Sequence, residues 1–161
     1  MSTSHTILAE LLNKELDALN QFAEILQNEQ SQLVSASVDT LEPLIPQKIA
    51  LISKVEQLSQ SRYRELGNIG LLPNEHGMRT WLDHTKSHPE SIVVEKEWNE
   101  LLAITQTAKE LNRVNGLLIA SHMQRNAQAL NILHANAGNS VYGPNGQQKH
   151  NLTKIHSVIT G

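Results

Sequence analysis

Cysteine is absent from this chain of 161 residues, which removes both a disulfide frame and a thiolate metal site and leaves the sequence compatible with a reducing compartment. Aromatic residues are scarce at 3%, so the bulk of any core must come from Leu, Ile, Val and Ala, and that favours helix packed on helix. Long hydrophobic runs are missing too. The longest is about four residues (Leu117 to Ala120), far short of the roughly 20 needed to cross a bilayer. The opening Met1-Ser2-Thr3-Ser4-His5 has no basic leader, and Glu10 interrupts the apolar start at Ile7-Leu8 before a signal-peptide core can form. A soluble, cytoplasmic protein without membrane insertion is expected. Basic clusters are equally lacking: 13 Lys and Arg stand against 16 Asp and Glu, for a net charge of −3. No nucleic-acid partner is therefore expected, because phosphate binding depends on clustered cations.

Enzyme motifs are also missing. There is no Gly-rich phosphate loop, no HExxH, no nucleophile elbow and no Glu-x-x-His pair on a helix. The nearest approach to a metal site is Asp83-His84 with His88, for which no third and fourth ligand is legible, so no catalytic residue, metal or cofactor is assigned.

What the sequence does have is helical periodicity. Leu12, Leu19, Leu26 and Leu33 recur by sevens between about His5 and Ala36, with Leu8, Phe22 and Ile25 widening the stripe. Pro43 and Pro46 delay the second helix to about Leu44, after which Leu44, Leu51 and Leu58 repeat the heptad until Gly67 ends the run. A connector punctuated by Gly70, Pro73 and Gly77 holds two or three helical turns around Trp81 and Leu82, stopped before Pro89. Ser91 is a suitable N-cap for a third long helix that meets no proline before Gly138. The expected fold is all-α: an elongated antiparallel bundle of three long helices with a short connector helix in residues 1–135, then a flexible Gly/Asn-rich tail in 136–161. Leu12, Leu19, Leu26, Leu44, Leu51, Leu58, Trp98 and Leu101 are expected in the core.

The third long helix is well patterned at first, with Val94, Trp98, Leu101, Ala108 and Leu111 on one side. Then Asn112, Asn115, His122 and Asn126 occupy the seam. These asparagines read either as an exposed face or register-fixing polar layer, or as an adaptable groove in which Leu118, Ile119 and Met123 supply apolar contact to a client helix. Tyr142-Gly143-Pro144-Asn145-Gly146 reads as a turn that can present Tyr142 to a partner. The candidate partner-binding residues are Asn112, Asn115, Leu118, Ile119, His122, Met123, Asn126, Leu130, Tyr142 and Pro144.

The order of parts resembles the FlgN-type flagellar export chaperones: a Leu-rich first helix, a second entered through Leu41-Glu42-Pro43-Leu44-Ile45-Pro46-Gln47-Lys48, the Asn112 to Ile119 stretch, and the tail Tyr142-Gly143-Pro144-Asn145-Gly146. The resemblance implies a cytoplasmic, non-enzymatic protein that binds the C-terminal region of hook-filament junction proteins. It implies delivery of those clients to the flagellar type III export gate and its export ATPase complex. At Asn145 the family commonly has Asp, so this chain departs from it in charge. The rival reading is a structural coiled-coil or adaptor subunit acting through permanent self-association of its heptads.

Overall fold

The computed structural model describes residues 2–35 and 41–140. Among them the order is α1 (Ser2–Val34), α2 (Leu44–Asn68), α3 (Glu75–His84) and α4 (Ser91–Ser140), with no strand. The chain forms two compact units, Met1–Ala120 and Ser121–Gly161. α4 continues past the expected end at residue 135 to Ser140, since no proline interrupts it and a single glycine costs a helix only about 1 kcal/mol.

The helix ends follow from local chemistry. Pro43 sits at the N-cap of α2 and Pro46 lies in its first turn, where the missing N–H groups would have lacked helical acceptors anyway. Gly67, expected to stop this helix, lies inside it. The terminator is Gly70, with φ +80°: its N–H bonds the Gly67 carbonyl at 3.0 Å while the Leu71 N–H bonds the Leu66 carbonyl at 2.9 Å. That is a Schellman stop, and the half-buried Leu71 packs on the core cluster containing Leu66. Asn74 caps α3 by accepting from the Gly77 N–H at 3.0 Å.

Within the first unit the core gathers where the first half of α1, the end of α2, α3 and the first turns of α4 meet. Leu8, Leu12, Leu16, Leu19, Leu66, Met78, Trp81, Leu82, Val94, Trp98 and Leu101 form one cluster. Few as the aromatics are, both tryptophans belong to it. Leu26 and Leu33 are also buried, farther along α1. Leu44, Leu51 and Leu58 correct the expectation, being only half-buried, while Ile45, Ile49 and Ile52 are exposed. Farther along, α2 and α4 are parted by an open cleft of about 560 Å³ lined by Val55, Ser59 and Tyr63 of α2 and by Leu102, Thr105 and Lys109 of α4. It leaves the second helix covered chiefly by α1.

Two buried carboxylates on α1 tie the helices together. Glu15 accepts from Arg62 Nε at 2.7 Å and Nη2 at 3.2 Å, and both side chains are only 4% exposed. Glu29 accepts from Lys48 Nζ at 3.2 Å. As the numbering rises along α1 the partner's falls, so α1 and α2 run antiparallel. Asn13 donates to Glu97 and Asn115 to Glu29, so α1 and α4 run in the same direction.

At the start of α1 the buried His5 ring stacks on His88 (centroids 4.6 Å, 14° between planes) and leans on Trp81 at 5.0 Å. Neither ring nitrogen has a hydrogen-bond partner. Burial, reinforced by the neighbouring His88 and only partly offset by Glu90, holds the His5 pKa below its ordinary 6.5. The unfolded chain therefore binds this proton more readily. The contribution to stability is complete above that value and is lost as pH falls below it. Thermal melts between pH 8 and 5 should show the midpoint falling below about pH 6.5, and His5→Phe should flatten that fall. The same slope in both proteins would remove His5 as its cause.

Candidate partner-binding site

Eight of the ten candidate residues lie on α4 between Asn112 and Leu130, and the structure separates them. Asn115 is fully buried: its Nδ2 donates to the Leu26 carbonyl at 2.9 Å and to Glu29 Oε1 at 3.0 Å. Because Glu29 also holds Lys48, this amide joins a polar bridge from α2 through α1 to α4. That placement matches the register-fixing reading of a buried asparagine. Asn112 is exposed, one face away, and Leu118 is half-buried.

Farther along, the helix turns outward-facing chemistry to solvent. Ile119, Met123, Asn126 and Leu130 are exposed and His122 is half-buried. Met123 is 39% exposed and Leu130 50%, large values for such side chains. Leu133, at 63%, continues the same stripe and was missing from the candidate set, although its spacing from Asn126 and Leu130 already carried the signal. Leu117 and Ile132 are exposed on neighbouring faces. Tyr142 and Pro144 lie outside the described residues.

The electrostatics change along the chain. All sixteen acidic residues lie at or before Glu110. Glu110 itself is held by Arg113, whose Nη2 and Nε donate to its two oxygens at 2.7 and 3.0 Å, and that hydrogen bond draws the carboxyl pKa below its ordinary value. From Val114 to Ser140 the only fully charged side chain is Arg125.

No group of three metal-ligating side chains occurs among the described residues. Asp83 is paired with Lys86 at 2.7 Å, while His88 is stacked on His5. No helix among the described residues is long and apolar enough to cross a membrane. What the second half of α4 offers is apolar side chains at helical spacing, interleaved with amides.

The chain belongs to the FlgN family, whose model, described as FlgN protein, matches residues 1–150. Among curated proteins it is similar to the flagella synthesis protein FlgN of Escherichia coli, at 28% identity over 88% of this chain and 90% of the relative. It is likewise similar to the protein of that name from Proteus mirabilis, at 28% over 90% and 92%. The Salmonella typhimurium relative is 26% identical over 88% and 90%. No solved structure matches the chain at a significant level.

Proposed function

We propose that this protein is a cytoplasmic export chaperone for flagellar hook-filament junction proteins. It binds the C-terminal region of these subunits, keeps them from assembling early, and hands them to the type III export gate and its ATPase complex. The observation that carries the reading is the row of exposed apolar side chains on α4, Ile119, Met123 and Leu130, in a chain of the FlgN family. An amphipathic segment laid against such a row hides its own apolar stripe from other subunits. Interleaved amides keep the contact specific without the burial of a permanent core, and micromolar to nanomolar affinity, about 8–12 kcal/mol, suits a client that must be released. Tyr142 and Pro144 remain part of this reading as contacts to the client or to the export gate.

The test is Ile119→Asp, with capture of a purified junction protein and thermal stability measured on the same sample. Ile119 is 36% exposed, so the melting temperature should hold while capture weakens by about tenfold or more. Equal loss of both would make the residue plain core. A stable homo-oligomer indifferent to the junction protein would sink the chaperone reading in favour of a self-associating scaffold.

A further inference from the structure

Met123, Asn126, Leu130, Leu133 and Ala137 are separated by alternating steps of three and four on α4, and all five are exposed. Such steps keep side chains on one line of a helix, here a seam of about 21 Å. The positions beside it carry His122, Ala127, Ala129 and His134, and no Asp or Glu follows Glu110 in the sequence. Four of the thirteen basic residues follow it, at Arg113, Arg125, Lys149 and Lys154, together with four histidines. The chain up to Glu110 keeps nine basic against sixteen acidic residues, a net of −7.

From this division we infer that the seam takes an amphipathic helix whose apolar stripe is flanked by acidic residues. The inference rests on the proposed binding role and adds the chemistry of the partner. An acid-flanked helix meets no like charge along the seam, gains from Arg125, and is repelled from the earlier part of the chain. A base-flanked helix of equal apolar content is drawn instead toward the acidic part. Complementarity of this kind selects partners and raises their encounter rate more than it deepens the contact.

The probes are two designed helical peptides of about three heptads, sharing one leucine stripe and differing only in Glu or Lys at the flanking positions. Titrated into the full-length protein at low salt, the Glu peptide should bind roughly tenfold more tightly, and the preference should shrink as salt rises. Leu130→Asp should abolish binding of the Glu peptide without changing the melting temperature, and Arg125→Glu should reduce the preference. Equal affinity for the two peptides, a preference for Lys, or no binding of either overturns the inference. If equal binding is still lost with Leu130→Asp, the seam remains a docking surface and only the acidic flank falls. Self-association of the free protein that disappears in Leu130→Asp would make a second copy the occupant, which also overturns it.

Discussion

Glu15→Ala is expected to lower the unfolding free energy by about 3–5 kcal/mol, the usual cost of stranding one member of a buried ion pair. The partner left stranded is Arg62, whose side chain is only 4% exposed. Its guanidinium is enclosed, lying 4.8 Å from the centre of the Tyr63 ring and 5.1 Å from that of Trp98. Replacing both partners at once, with Glu15→Leu and Arg62→Met, should return stability to within about 2 kcal/mol of the parent, because the charge is then gone from both sides. Urea denaturation of the three variants checks this. A loss below about 1 kcal/mol for Glu15→Ala would show that the pair is effectively solvated.

Gly77→Ala is the second change expected to act strongly. A Cβ built on Gly77 runs into the carbonyl group of Leu72, a backbone group that has no rotamer to turn away. The close approach exists because the chain folds back from Gly70 through Pro73 to start α3, and Gly77 is the residue whose N–H the Asn74 side chain caps. Relief requires shifting α3, and with it Met78, Trp81 and Leu82 of the core. A loss of about 3 kcal/mol or more is expected, at or beyond the top of the usual overpacking range. Gly116→Ala makes the same chemical change inside α4 with nothing within 4 Å of the new methyl, so it should stabilise by up to about 1 kcal/mol. Thermal melts of the pair decide the matter: similar shifts for both would mean that the approach at Leu72 relaxes freely.

The helical class, the start of α2 behind its two prolines and the start of α4 at Ser91 were legible because each depends on a few neighbouring residues. Gly67 and Gly70 look alike in sequence; only the left-handed backbone at Gly70 distinguishes the true stop. The leucines of α2 gave the correct face but not its depth of burial. A heptad records which side meets a neighbour, not how many neighbours there are. The same limit governed the asparagines of α4: Asn115 is buried and Asn112 exposed because of Leu26 and Glu29, which lie on another helix. Buried Glu15 and Glu29 escaped sequence reading for that reason too. Their signal was relational, two acids fourteen residues apart on α1 facing two bases fourteen apart on α2.

That spacing bears on how the chain finds its alignment. A row of leucines is nearly indifferent to sliding: move α1 along α2 by one heptad, about 10.5 Å, and leucines can still face leucines. The charges are not indifferent. Extending the two observed pairings, a slip in one direction sets Glu15 against Val55 and Glu29 against Leu41; in the other it sets them against Ile69 and Val55. Each stranded carboxylate costs on the order of several kcal/mol unless it takes up a proton or returns to water. Collapsed states one heptad out of step are therefore driven apart, and a repetitive hydrophobic surface is given one address.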